Sequence, residues 1–230
     1  MRAGAAARSS APARWALGAA LLGCALSAGV VAAATEETAD AADTTVAPPA
    51  PGACRALDLP VQKLADAPTA YAEFCRRHPA DCRLDGPPVL AVDGGLWARL
   101  GQVNRAVNAE VTPMSDWDRT GEEEHWDYPA RGRGDCEDIA LEKRRRLVAA
   151  GLPRAAFTMA IVHDRARPSS HAVLLVETTA GTFVLDSVGN TPACWASGAY
   201  DFESRERPDG RWLRYDQRAW ADPPTPPPAR

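Results

Sequence analysis

Gly132-Arg133-Gly134-Asp135-Cys136-Glu137-Asp138-Ile139-Ala140-Leu141 is a glycine-punctuated loop that runs into a helix-capping aspartate and then an amphipathic stretch ending at Gly151. Asp135 falls at an N-cap position and Cys136 at the first helical position. A sulfur there sits near the positive end of the helix dipole, which favours the thiolate. Cys136, Ile139, Ala140, Lys143, Leu147 and Ala150 follow one stripe, whereas Glu142, Arg144, Arg145 and Arg146 fall mostly outside it. Acids at the start and bases near the end match the macrodipole, Gly151 supplies a C-terminal cap, and Pro153 prevents continuation. The plain alternative is an ordinary half-buried thiol at a helix start. The rest of the chain weighs against that alternative.

Downstream lie three β-like runs, Phe157 to Val162, His171 to Glu177 and Thr182 to Asp186, the last two joined by the turn-like Thr178-Thr179-Ala180-Gly181. A four-residue loop closed by a Val176–Gly181 pair sets His171 opposite Asp186 on adjacent antiparallel strands. A slip of one residue would put them on opposite faces. A thiol at a helix start with an imidazole and a carboxylate on neighbouring strands is the constellation of nucleophilic acyl transfer. Cys136 attacks, His171 exchanges the proton, Asp186 orients the imidazole, and the Cys136 backbone N–H serves as an oxyanion donor. His163 reads as a loop residue at a strand end, and neither His78 nor His125 has a carboxylate placed for it by a hairpin.

Upstream, Tyr71 to Pro79 reads as a short helix stopped by its proline, and Val89 to Val92 as a short strand. Leu96, Leu100, Val103 and Val107 mark one face of a helix carrying Asn104 and Asn108 one turn apart, for which a solvated or side-chain-to-backbone role is expected. Met114 to Tyr128 is an acidic, irregular loop with two tryptophans, carrying Asp116, Asp118, Glu122, Glu123, Glu124 and Asp127, open to metal or substrate contact although it lacks calcium-loop spacing. Trp195 and the segment from Tyr200 to Tyr215 suggest further strands.

Cysteine usage singles out the same thiol. Arg2, Arg8 and Arg14, the apolar run Trp15 to Leu26 and Ala32-Ala33-Ala34 compose a signal peptide over 1–34, so a periplasmic location is expected. Leu21-Leu22-Gly23-Cys24 loosely matches a lipoprotein processing site, so a membrane anchor is expected only if Cys24 is lipidated. A disordered linker over 35–53 and a Pro-rich tail over 221–230 leave one domain, 54–220. Of the five remaining cysteines, Cys75 and Cys82 are close enough for a turn to join, Cys54 and Cys194 pair by elimination, and Cys136 is left free. The full chain carries −4. Without the leader, 23 basic side chains face 30 acidic ones, a charge of −7 that argues against a nucleic-acid partner.

Asp135, Glu137 and Asp138 crowd Cys136, and carboxylates disfavour a thiolate. Either they point away, or a cation compensates them, and an all-oxygen set suits Ca²⁺.

Val103-Asn104 with Asn108, Trp126-Asp127-Tyr128-Pro129, Gly134 to Lys143, His171-Ala172-Val173-Leu174 and Val184-Leu185-Asp186 together resemble the bacterial transglutaminase-like cysteine proteinases, over about Tyr71 to Tyr215. The resemblance implies an α+β, papain-like, transglutaminase-type fold, with the nucleophile at the N-terminus of a central helix packed on an antiparallel sheet. It implies Cys136, His171 and Asp186 as the triad of a cysteine peptidase, with calcium held by Asp135, Glu137 and, more weakly, Asp138. A protein or peptide substrate at the cell surface or in the periplasm follows. Ile139 replaces a usual aromatic and Ser187 a common asparagine, so substrate specificity does not carry over. The triad alone does not separate hydrolysis from transfer to an amine, and a binding module that retains the fold is the third reading.

Overall fold

The structure is a computed structural model that describes residues 47–50, 53–166 and 169–216. The expected signal peptide, most of the expected linker and the expected tail lie outside the described residues. In chain order the elements are β1 (Val61–Ala65), α1 (Thr69–Arg77), α2 (Gly94–Glu110), β2 (Thr112–Pro113), α3 (Asp116–Thr120), β3 (Arg133–Gly134) and α4 (Cys136–Ala149). They continue through β4 (Phe157–Asp164), β5 (Ser170–Thr178), β6 (Gly181–Leu185), β7 (Ala193–Cys194), β8 (Tyr200–Glu206) and β9 (Trp212–Tyr215). Seven strands form one antiparallel sheet in the order β1-β9-β8-β4-β5-β6-β7, and β2 pairs with β3 in a separate parallel ribbon. Helices segregated from an antiparallel sheet make this an α+β fold. No helix among the described residues is long and apolar enough to cross a membrane.

The strand at the centre explains the helix on top of it. β5 is buried at Ala172, Val173, Leu174, Leu175 and Val176, a continuous apolar run that needs cover on both faces. α4 packs against β5, and α2 packs in turn on α4. The consequence for α4 exceeds what its amphipathic stripe predicts, because the helix is buried nearly all round. Glu142 and Arg144, expected outside the stripe, are 5 % and 1 % exposed. Both are affordable only because they are paired. Glu142 binds Arg145 and Arg146, while Arg144 binds Glu206 at 2.6 Å and the Tyr71 hydroxyl at 3.0 Å. Glu206 also accepts from Tyr71 and from the Met159 N–H, so β8, β4, α1 and α4 share one satisfied buried network.

Several expectations change. The β5–β6 hairpin closes on Thr178↔Gly181 through a two-residue turn, with Val176 opposite Phe183 and not Gly181. Gly181 has φ +117, and a Cβ there would meet the Cys54–Arg55 backbone at 2.7 Å, so this tight turn needs glycine. Only Leu90 of the expected 89–92 strand pairs, in an isolated bridge to Thr178. The acidic loop contains α3, started by Ser115 accepting from the Asp118 N–H. Trp195 begins a 3₁₀ turn, and His163 lies within β4.

Both expected disulfides form, Cys54–Cys194 and Cys75–Cys82, and Cys136 is the free thiol among the described residues. The first closes 140 residues and the second seven, so the first restricts the unfolded chain far more. Replacing Cys54 and Cys194 by serine is expected to lower stability in urea by about 3–5 kcal/mol, against roughly 2 kcal/mol for Cys75 and Cys82. An equal or reversed order in the two unfolding midpoints would contradict this account.

Candidate active site

The loop before α4 is fixed from two directions. Met114 donates its N–H to the Gly134 carbonyl at 3.0 Å, and Thr112 to that of Gly132 at 2.8 Å, tying the loop to the segment after α2. Gly134 has no room for a side chain, since a Cβ would lie 2.6 Å from the Asp138 carboxylate. Asp135 occupies the N-cap position of α4 but does not cap it, and its Oδ2 accepts from the Asp116 N–H at 3.0 Å. Cys136 then opens the helix with its sulfur toward the β5 edge, accepting from the Ala172 N–H at 3.3 Å.

His171 and Cys136 line one groove of about 280 Å³, along with Pro68, Thr69, Ala70, Glu124, Trp126, Glu137, Ile161, Ser170 and Ala172. His171 Nε2 lies 2.8 Å from Asp186 Oδ1, which leaves Nδ1 for the groove side. The expected direct opposition of the two is replaced by a diagonal one. The observed ladder, continued past Leu174↔Leu185, sets Asp186 opposite Val173, two positions from His171. A register change of two residues preserves the face, so the pair survives an error that a change of one would have turned into a separation. A carboxylate partner does not by itself mark His171. His78 meets Asp127 at 3.1 Å, His125 meets Glu122 at 2.7 Å and His163 meets Glu203 at 2.9 Å. Only His171 shares a groove with the free thiol.

Asp186 is held from all sides. Tyr200 donates to its Oδ2, the Val188 N–H to its Oδ1 at 3.2 Å, and the Tyr200 ring lies 5.8 Å from that of His171. Burial opposes its charge, yet the His171 and Tyr200 hydrogen bonds outweigh burial and hold it below the ordinary carboxylate range. Its main chain is gripped by α2. Asn108 Nδ2 donates to the Asp186 carbonyl at 2.9 Å and Asn104 Nδ2 to that of Gly189 at 2.6 Å. The side-chain-to-backbone role expected of these asparagines therefore spans about 80 residues of chain and not one helical turn. Lys143 is buried with its ammonium unpartnered among the described residues. Burial brings it down to about 7, with Asp186 pulling the other way.

The acids beside the thiol divide into two groups. Asp135 and Glu137 come together with Asp116, and one oxygen of each lies within 4.8 Å of the others. Asp138, the third acid expected in that set, is fully buried elsewhere, 2.8 Å from Arg119 and accepting from the Asp127 N–H at 2.8 Å. Asp116 carried no local signal, because it lies 19 residues before Asp135 and reaches it only through tertiary folding. Arg119 also binds Asp116, so a single guanidinium serves the whole acidic neighbourhood among the described residues. Burial, then Asp135, pushes Glu137 up to about 10, and Asp135 Oδ1 is buried with no hydrogen-bond donor satisfying it among the described residues. Three crowded carboxylates with an unsatisfied oxygen fit a hard, oxygen-seeking cation. Burial raises the Cys136 thiol, Glu137 adds to it 3.2 Å away, and the Ala172 N–H opposes both.

Helices packed on an antiparallel sheet, with a free thiol at the head of the central helix, fit a cysteine peptidase of the transglutaminase-like type, the class that the family match gives. The sequence pattern of the bacterial transglutaminase-like cysteine proteinases (BTLCP) matches residues 61–219, and the chain belongs to that family. A comparison with curated proteins gave no match. Among solved structures the chain is similar to Legionella pneumophila LapG in its calcium-bound form, with 22 % identity, 65 % of this chain and 84 % of that one covered, and a TM-score of 0.46. The EGTA-treated LapG has 27 % identity, coverage of 50 % and 65 %, and a TM-score of 0.44. A further LapG structure has 26 % identity, coverage of 53 % and 71 %, and a TM-score of 0.44.

Proposed function

We propose that the chain is an exported, periplasmic cysteine endopeptidase whose 54–220 domain uses Cys136, His171 and Asp186 as a triad. The observation that carries this reading is the shared groove of Cys136 and His171, with His171 bonded to Asp186 on its far side. His171 takes the thiol proton, and the sulfur attacks the scissile carbonyl carbon to form a C–S bond. The oxyanion forms beside the Cys136 N–H, unbonded within the helix because it belongs to the first turn. Collapse breaks the C–N bond, and His171 hands its proton to the departing amine. Water then attacks the thioester with His171 as base, releasing a carboxylate and the thiol. Asp186 keeps the imidazole oriented throughout, and Tyr200, Val188 and the two asparagines keep Asp186 in place.

Asp116, Asp135 and Glu137 are the residues that would hold Ca²⁺. The ion would supply positive charge beside the nucleophile, where the carboxylates otherwise oppose a thiolate. Export rests on the leader-like 1–34 segment and on two disulfides, which persist in oxidising compartments.

Reaction with iodoacetamide tests the site without knowledge of the substrate. At saturating calcium, Cys136 of the chain lacking residues 1–34 is expected to alkylate at least about tenfold faster than free cysteine at pH 7, with His171→Ala removing the excess. A rate equal to free cysteine would favour the non-catalytic reading. Product masses in the presence of an added primary amine then separate hydrolysis from transfer, with the carboxylate product expected.

A further inference from the structure

The groove beside Cys136 is walled mainly by Pro68, Ala70, Trp126, Ile161 and Ala172, an apolar surface suited to an extended polypeptide. Its ionisable lining is Cys136, His171, Glu137 and Glu124. The proposed chemistry uses the first two, and Glu137 faces the sulfur and belongs to the acidic cluster. Glu124 is left over. One of its oxygens accepts from Trp126 Nε1 at 3.3 Å, and the carboxylate has no cationic partner among the described residues. Asp116, Asp135 and Glu123 add negative charge around it. Among the described residues, no lysine or arginine lines the groove. Glu124 is exposed, so water solvates its carboxylate in the free groove, and a bound polypeptide can bring a cation in the water's place.

We propose that Glu124 is the specificity-determining residue of this groove, receiving a basic side chain of the polypeptide whose acyl group Cys136 attacks. This rests on the reading of Cys136 as nucleophile. The same field disfavours acidic side chains near the scissile bond, so the preference has a repulsive component as well as an attractive one. Trp126, buried and packed edge-on against Tyr71 and Trp212, donates to Glu124 and holds its carboxylate at the groove.

The test uses peptidyl chloromethyl ketones that differ only in lysine, norleucine or glutamate, placed in turn at each position next to the reactive group. Norleucine keeps the lysine chain and removes its charge. At saturating calcium, the lysine reagent is expected to inactivate the wild-type enzyme about fivefold faster than the norleucine reagent at one position. Glu124→Gln should abolish that difference, and Glu124→Lys should transfer the preference to the glutamate reagent. An unchanged lysine preference in Glu124→Gln, or none in the wild type, overturns the proposal. So does a Glu124→Gln variant that binds calcium more weakly while keeping the preference, since the carboxylate then belongs to the cation cluster. Iodoacetamide separates the two levels of failure. A wild-type thiol no faster than free cysteine sinks the nucleophile and this proposal with it, whereas a fast thiol without lysine preference sinks this proposal alone.

Discussion

Cys136→Ala is expected to remove peptide-bond cleavage almost completely, lowering kcat/KM by about 10⁴-fold or more. The size of the effect follows from the chemistry. In the proposed mechanism the sulfur forms the covalent bond that divides one difficult hydrolysis into two easier steps, and among the described residues no other thiol lines the groove. The fold should tolerate the change. Cys136 is only partly buried, and its loss removes a weak acceptor for the Ala172 N–H together with the nearest neighbour of the Glu137 carboxylate. The melting temperature should therefore stay close to wild type, which separates lost chemistry from lost structure. His171→Ala should be comparably damaging, and the double variant little worse than either, because the two groups act as a unit. Residual hydrolysis by purified Cys136→Ala at more than a hundredth of the wild-type rate would rule the assignment out.

Calcium should act on stability as strongly as on activity. A ligand that binds only the folded chain stabilises it by about 4 kcal/mol at a thousandfold excess over its Kd. Asp116, Asp135 and Glu137 converge only in the folded chain, because Asp116 comes from α3 and the others from the start of α4. EGTA is therefore expected to lower the melting temperature by several degrees, and added calcium to restore it. The geometry also ranks the ligands. Asp116→Asn should weaken calcium binding by about tenfold or more in calorimetry, since it removes a charged oxygen from the set. Asp138→Asn should alter the affinity far less while lowering stability through its lost contact with Arg119. A melting temperature indifferent to EGTA would exclude the cation. Equal effects of the two substitutions would return Asp138 to the ligand set.

The asymmetry between Asp116 and Asp138 shows what kind of information a sequence carries. Asp138 is two residues from Cys136 and so attracts attention, but in a helix that spacing turns a side chain onto another face. Asp116 stands far away in an acidic stretch with several equivalent candidates, and only the tie between its N–H and Asp135 brings it to the site. The His171–Asp186 pair was legible for a different reason. Strand alternation has a period of two, so an even register error leaves partners on the same face. The asparagines of α2 were legible in type and not in target, since helix geometry says what a side chain can bond to but not which distant turn will be there.

Cys136 at a helix start, its place as the thiol left over from two disulfides, and the pairing of His171 with Asp186 were written in local pattern, namely a glycine loop before an amphipathic run, cysteine parity and strand alternation, whereas the α+β class was implied by the family resemblance. Tertiary structure alone decided which acids meet beside the sulfur, which carbonyls the α2 asparagines reach, and how α4 survives burial over most of its surface. Those outcomes depend on contacts between residues tens of positions apart, for which the chain has no short-range periodicity to read.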